Sequence, residues 1–292
     1  MSSWILAARP KTLVAGFVPV LSGAILALQV AGRCDWGLVA LALASCLCIQ
    51  IATNLFNDAI DFEKGADTED RIGPVRVTQS GLLKPKTVLL AAATFLVLAT
   101  LLALPLLGAR GWAIALIGLP SLYLCFGYTG GPFPLAYLGL GEIFVILFFG
   151  LVAVAGSAFV ACGSWLVPDS VVLGFQIGLL SSVLIAINNL RDLESDAVVG
   201  KRTLAVRMGA GFAVTEIAIF LALPYVLNLY WLATWRTAAA ALPMLALPLA
   251  MFLVDRIGKE QPGPAFNRYL ALSSLHLLLF GAFWAIGMGI FK

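Results

Sequence analysis

Apolar residues along this chain run in stretches of about twenty, separated by short polar segments, the length a helix needs to cross a bilayer. The pattern predicts nine such segments at 12–30, 36–57, 86–107, 112–128, 138–162, 171–190, 212–230, 237–254 and 269–290. An odd number places the termini on opposite sides. The opening residues MSSWILAARPK hold an apolar run too brief for a signal-peptide core and are expected to form an interfacial turn of helix retained in the mature protein.

Composition agrees with the segmentation. Of the 292 residues 61% are apolar and only 11% charged, with a mean hydropathy of +1.01. Soluble domains carry about a quarter charged residues, so lipid must solvate most of this chain. Five cysteines form no Cys-x-x-Cys pair, and 28 Gly and 14 Pro show no period, which argues against a disulfide framework, thioredoxin-type chemistry and collagen-like repeats. No basic stripe with interleaved aromatics supports nucleic-acid binding. The expected fold class is therefore all-α and integral to the membrane, one polytopic domain over residues 1–292.

Charge placement adds orientation and a repeat. The N-terminus and the even-numbered connections hold 14 of the 18 Lys and Arg residues, which by the positive-inside rule predicts a cytoplasmic N-terminus. Of the 15 acidic residues, 9 fall in just 18 positions, 58–70 and 192–196, at the cytoplasmic ends of the second and sixth segments. Each cluster precedes a basic, Gly-containing stretch, RIGPVRVTQSG and GKRTLAVRMG. Four segments separate them, so they share one membrane orientation. This predicts parallel pseudo-repeats at 12–130 and 138–254, two helical bundles around a central cavity, with a ninth helix at 269–290.

The first cluster reads Asn54, Asn57, Asp58, Asp61 and Asp67, with Gly65 a plausible helix end; at helical spacing Asn54, Asn57 or Asp58, and Asp61 share a face. The second reads Asn188, Asn189, Asp192 and Asp196, where 188, 192 and 196 fall at i, i+4 and i+8. Carboxylates converging from two helix ends repel by several kcal/mol in a partly dry site unless a cation lies between them. Oxygen donors without His or Cys select Mg²⁺ or Ca²⁺, and Mg²⁺ is commonly completed by substrate phosphates. Arg71, Arg76, Lys84, Lys201 and Arg202 follow the acidic helix ends and are candidate diphosphate-binding cations.

Asn54 and Asn188 could equally serve as caps or interhelical hydrogen bonds. Glu142, just inside the fifth segment, is a candidate functional carboxylate because an ionisable group in the membrane is costly. Tyr123, Phe126, Tyr128 and Phe133 are candidate cation-stabilising aromatics, with lipid or core packing the alternative for each. His276 has no partner for a haem or zinc site and reads as a packing residue with one hydrogen bond. The run 200–203, GKRT, lacks the upstream Gly and the Lys-Ser/Thr pair of a P-loop.

With NDAIDFEKGADTEDRIGPVRVTQSG, NNLRDLESDAVVGKRTLAVRMG and the opening WILAARPKT in hand, the chain resembles the UbiA-type intramembrane aromatic prenyltransferases over essentially its whole length. It is most similar to the menaquinone-pathway branch, which acts on 1,4-dihydroxy-2-naphthoate. The third acid of the first motif, Asp67, comes six residues after Asp61 instead of four, a spacing shared with that branch. The resemblance implies nine helices, a bacterial cytoplasmic membrane, a cytoplasm-facing active site and Mg²⁺ as cofactor. It implies Asp58, Asp61, Asp192 and Asp196 as catalytic groups, and the same four with Asp67 as metal ligands. Asn54, Asn57, Arg71, Arg76, Asn188 and Lys201 would bind the diphosphate of a polyprenyl diphosphate, and Glu142 and Tyr128 the aromatic acceptor. The rival readings are a sibling enzyme using another acceptor such as 4-hydroxybenzoate, a transporter built on parallel repeats, and a CDP-alcohol phosphotransferase, which would need only one Asp-rich motif.

Overall fold

The computed structural model describes residues 3–67 and 72–290, and contains helices and no strand among the described residues. A short helix α1 (Ser3–Ala8) precedes α2 (Pro10–Ala31), α3 (Trp36–Glu63), α4 (Pro85–Arg110) and α5 (Trp112–Gly127). These are followed by α6 (Gly141–Cys162) and α7 (Asp169–Arg191), two short helices α8 (Leu193–Val198) and α9 (Leu204–Met208), then α10 (Ala210–Ala233), α11 (Thr237–Lys259) and α12 (Phe266–Ile290).

Eight of these helices are long and apolar enough to cross a membrane. The expected fourth segment, α5, has 16 residues, roughly 24 Å of helix, and is the shorter ninth. The protein is thus a multi-pass membrane protein. Each expected segment overlies a helix, with ends fixed by local chemistry. Pro10 and Pro85 open α2 and α4, where a missing N–H costs nothing, and the Asp35 carboxylate caps α3 by accepting from the Leu38 N–H at 3.0 Å.

Two departures matter for the site. Helix α3 runs six residues beyond the expected end at Asn57 and stops at Glu63, followed by Gly65 at φ 69°, so Asn54, Asn57, Asp58 and Asp61 all ride on one helix. The second motif does not stay helical: α7 ends at Arg191, Asp192 turns out at φ −95° and ψ 11°, and Asp196 belongs to the separate α8. The i, i+4, i+8 register across 188–196 is therefore broken. Asp192 pairs with Arg191, its immediate neighbour, and adjacent residues do not face each other along a helix, so the pair and the break occur together.

At the centre stands α7, 78% buried, while α4, at 17%, faces lipid. Lipid offers no hydrophobic drive between helices, so close backbone approach supplies the packing. Gly174 and Gly178, a Gly-x-x-x-Gly pair on α7, meet Gly150 of α6; a Cβ on Gly178 would lie 2.7 Å from the Ile146 carbonyl oxygen, and one on Gly150 would overlap that of Gly174. This contact falls within a π-helical stretch of α6, Ile146–Val152, a feature that often marks functional sites. His276 is deeply buried on α12 and accepts or shares one hydrogen bond with the Tyr225 hydroxyl at 2.7 Å, the packing role expected of it.

The Gly178 approach makes a direct prediction. Gly178→Ala should destabilise the detergent-solubilised protein by about 1–3 kcal/mol, read as a lower melting temperature, whereas Gly108→Ala, with nothing near the new methyl group, should leave melting unchanged.

Candidate active site

The last two turns of α3 build the first half of the site. Asp58 is 1% exposed, and protein donors fill its carboxylate: Oδ1 accepts from the Thr78 N–H at 3.0 Å and its hydroxyl at 2.5 Å, and Oδ2 accepts from the Val77 N–H at 3.1 Å. It fastens the returning loop to α3 and is not among the residues that line the cavity described below. That loop delivers Arg76. Its guanidinium spans two carboxylates, with Nη2 3.3 Å from Asp61 Oδ2 and Nε 3.2 Å from Asp67 Oδ2, all almost fully buried. Arg71 lies outside the described residues.

Asn54 is also turned away from the site. Its amide donates to the Ala8 carbonyl at 2.9 Å and to the Thr12 hydroxyl at 3.1 Å, tying α3 to the junction of α1 and α2. Of the two alternatives left open by sequence, the interhelical bond is the one made. Asn57 faces inward and accepts from the Thr129 hydroxyl.

The second half is built at the end of α7. Arg191 grips Asp192 with two parallel bonds, Nε to Oδ1 at 2.7 Å and Nη2 to Oδ2 at 2.6 Å, and reaches Asn267 Oδ1 at 2.7 Å. Asn267 in turn donates to the Ile72 carbonyl at 3.1 Å, joining the two motif-bearing segments. Lys201 lies 3.6 Å from Asp196.

Tyr137, which the sequence pattern did not single out, lies between the halves. Its hydroxyl donates to Asp61 Oδ1 at 3.0 Å, the Lys64 and Lys201 ammonium groups lie 4.2 and 5.8 Å from its ring centre, and its carbonyl accepts from the Arg202 N–H at 3.2 Å. Burial, then the negative charge of Asp61, push its phenol well above the usual range, so it stays a donor. Burial pulls the Lys64 ammonium below its ordinary value, with Asp61 opposing and Lys201 adding to the drop.

These elements enclose a cavity of about 430 Å³, lined by Asn57, Asp61 and Arg76 from one motif and Asn188, Asp192 and Lys201 from the other. Asp67 and Asp196 are not on its wall; they stand behind, held by Arg76 and Lys201. Lys84 and Arg202 do not line it either. The wall adds Arg9, Lys11 and Arg191, so five cationic side chains face three carboxylates, Glu142 being the third. Arg9 and Lys11 belong to the opening stretch expected to form an interfacial turn of helix. The usable signal was Arg9-Pro10, because proline disfavours the α conformation of the residue before it and turns the chain; Arg9 sits at φ 51° and ψ 70°, a strained left-handed conformation at the cavity edge.

A second, almost wholly apolar groove of about 210 Å³ runs between α3, α4, α5 and α6, lined among others by Ile49, Leu106, Ile117, Phe144, Phe148 and Val160. Tyr128 lines both spaces and marks where they meet. Tyr123 and Phe133 are exposed on the outer surface and Phe126 packs edge-on against Phe56 at 5.7 Å, so among these aromatics only Tyr128 reaches the cavity.

The profile described as the UbiA prenyltransferase family matches residues 16–275. The chain belongs to the UbiA family. It is 38% identical over 237 residues to 1,4-dihydroxy-2-naphthoate octaprenyltransferase of Bacillus subtilis, covering 81% of this chain and 74% of the relative. The enzyme of the same name from Mycobacterium leprae is 33% identical over 291 residues, 98% of this chain and 95% of that one. A UbiA homolog from Archaeoglobus fulgidus, whose structure holds GPP and Mg²⁺, superposes with a TM-score of 0.71 over 99% of this chain and 100% of its own, at 16% identity, and so shares the fold.

For a UbiA-family chain the fit of a divalent ion rests on its own donors. Asn57, Asp61, Asn188 and Asp192 offer the cavity oxygen atoms and no His or Cys. Among the described residues no three acidic, His or Cys groups converge into a closed sphere. Both features suit Mg²⁺, which binds one or two carboxylates and keeps positions for water and phosphate oxygens. The residues present fit the ion.

Two predictions follow from these placements. Loss of the Asp58 bonds, each worth about 1.5–3 kcal/mol for a charged acceptor, should make Asp58→Ala melt well below wild type even without ligand, in a detergent thermal-shift measurement. Burial raises the Asp196 carboxyl from 3.8 to about 6, with Asp192 and Asp61 adding and Lys201 opposing. An acid raised in the folded state contributes stability that is complete below 3.8 and lost as pH rises through about 6. The metal-free protein should therefore lose melting temperature across that window, and Asp196→Asn should flatten the loss.

Proposed function

We propose that this UbiA-family protein transfers a polyprenyl group from a polyprenyl diphosphate to 1,4-dihydroxy-2-naphthoate, with loss of the acceptor carboxyl group as CO₂, giving demethylmenaquinol. The observation that carries this reading is the junction at Tyr128 of a cation-rich, carboxylate-bearing cavity with an apolar groove. A prenyl diphosphate has that same division: a multiply charged head and a hydrocarbon tail. The names of the relatives from Bacillus subtilis and Mycobacterium leprae support the naphthoate acceptor.

The head group would lie between the motifs, where Arg9, Lys11, Arg76, Arg191 and Lys201 draw charge onto the leaving diphosphate as the allylic C–O bond breaks. Asn57, Asp61, Asn188 and Asp192 would hold Mg²⁺, which supplies Lewis-acid stabilisation of the departing diphosphate oxygens. Arg76 and Lys201 hold Asp67 and Asp196 close behind that wall. The tail would follow the groove, whose Phe144, Phe148 and Val152 surfaces exclude water from the allylic cation. The π-helical stretch of α6 forms part of this dry wall. The acceptor ring would meet the cation beside Tyr128, with Glu142 close by.

The acidic groups gather at helix ends and not at the bilayer midplane, which disfavours a transporter of the parallel-repeat kind. The 14-to-4 bias of Lys and Arg supports a cytoplasmic N-terminus and active site, in a bacterial cytoplasmic membrane. The halves 12–130 and 138–254, each ending in an acidic motif and a basic stretch, are read as parallel repeats.

Purified protein supplied with a polyprenyl diphosphate, 1,4-dihydroxy-2-naphthoate and Mg²⁺ should yield the decarboxylated prenyl naphthalenediol by mass spectrometry, and chelation should stop it. Asp61→Ala and Asp192→Ala should each lower turnover at least 100-fold. Preferential use of 4-hydroxybenzoate would reject the acceptor assignment, and full turnover by both variants would reject the site.

A further inference from the structure

Glu142 differs from every other carboxylate on the cavity wall. Asp61 and Asp192 are ion-paired with arginine. Among the described residues no Lys or Arg is ion-paired with Glu142, although it is 1% exposed. It is held rigidly. Its carbonyl accepts from the Ser182 hydroxyl at 3.1 Å and its Oε1 from the Asn189 amide at 2.7 Å, both donors on α7. Its Oε2 is buried without a hydrogen-bond partner. A buried carboxylate oxygen left unsatisfied is costly, and such groups are kept where a ligand completes them.

The place is as telling as the vacancy in its hydrogen bonding. Glu142 sits in the first turn of α6, where free N–H groups accommodate negative charge. The neighbouring Gly141 leaves room for Tyr128, whose hydroxyl lies 3.1 Å from where a Cβ on residue 141 would stand. Tyr128 is where the polar cavity opens into the groove, so a prenyl chain with its diphosphate in one and its tail in the other presents its reacting carbon here. Among the described residues, Tyr128 after α5 and Glu216 on α10 interact electrostatically with Glu142, and the same cavity wall carries Arg9, Lys11, Asp61, Arg76, Arg191, Asp192 and Lys201.

We propose that Glu142 is the catalytic base of the transfer, its Oε2 accepting the proton of an acceptor ring hydroxyl as the ring attacks. This rests on the aromatic prenyl-transfer reading above. For attack by the carboxyl-bearing carbon, the O–H bond breaks, its proton passes to Oε2 and its electron pair enters the ring. The ring carbon bonds to the allylic cation left when diphosphate departs with the C–O pair. The carboxylate then departs as CO₂, its bond pair restores the aromatic ring and the ring oxygen, and Glu142 returns the proton. No oxidant or further reactant is needed, and the base is regenerated. Asn189 is the positioning residue: it holds Oε1 and leaves Oε2 without a protein donor.

The test uses full-length protein in detergent with Glu142→Gln, whose amide oxygen can still accept from Asn189 but whose NH₂ cannot take a proton. The proposal expects turnover to fall at least 100-fold, loss of the acid limb of the kcat/KM profile, and unchanged thermal stabilisation by Mg²⁺ with inorganic diphosphate. It also expects partial recovery with a fluorinated acceptor whose hydroxyl is already ionised. Near-normal kcat with only a raised acceptor KM and an intact acid limb would overturn it, leaving Glu142 a binding group. Should the variant fail to fold, wild type settles the matter: normal turnover of an acceptor methylated on its ring hydroxyls overturns the proposal, and its failure beside rapid turnover of the free hydroxyl form supports it. If wild type prenylates no hydroxylated aromatic at all, the functional reading itself fails, independently of Glu142.

Discussion

Neutralising buried carboxylates with guanidinium groups is the constraint on which the rest of this structure depends. Asp61, Asp67 and Asp192 have side chains at most 15% exposed, where an unpaired charge would cost several kcal/mol. Arg76 and Arg191 meet that need with fork geometry that a lysine could not reproduce. Each arginine also joins chain segments. Arg76 is held in position because Asp58 pins the loop from which it projects, and Arg191 reaches through Asn267 to the Ile72 carbonyl. The charge balance of the site and the closure of its polar end are therefore one arrangement.

Below that charged cap the protein is organised by close backbone approach. The glycines of α6 and α7 bring two helices together tightly enough that Glu142 receives bonds from Ser182 and Asn189 of the facing helix. The π-helical stretch that contains Gly150 also places Phe148 and Val152 on the groove. Packing of the helices thus fixes both the polar end of the site and its apolar continuation, and Tyr128 stands where the two chemistries meet. The same Gly141 that starts α6 leaves room for the Tyr128 hydroxyl. An enzyme that must hold a phosphate head and a hydrocarbon tail together needs such a boundary, since neither environment would tolerate the other's ligand.

The structure also divides the acidic motifs by role. The wording NDAID looks uniform in sequence, yet Asp58 and Asp61 lie three positions apart on the helix and point to different partners: one to loop amides, the other to Tyr137 and Arg76. Asn54, one turn earlier, anchors the N-terminal junction that carries Arg9 to the cavity edge.

The sequence by itself determined what depends on solvent and local chain properties: helices of membrane length, the sidedness of basic charge, the helix end near Gly65 and two acid-bearing tips. Those follow because transfer to lipid, capping and charge placement act on each stretch separately. It could not separate Asp58 from Asp61, because a helical repeat gives the face of a residue only to within a turn, while the loop that claims Asp58 returns from some twenty positions away. Nor could it find the break at Asp192, the inward placement of Arg9, the bridging position of Tyr137, or the unfilled bond of Glu142. Those were decided by contacts between distant segments, whose energies exist only once the helices have packed.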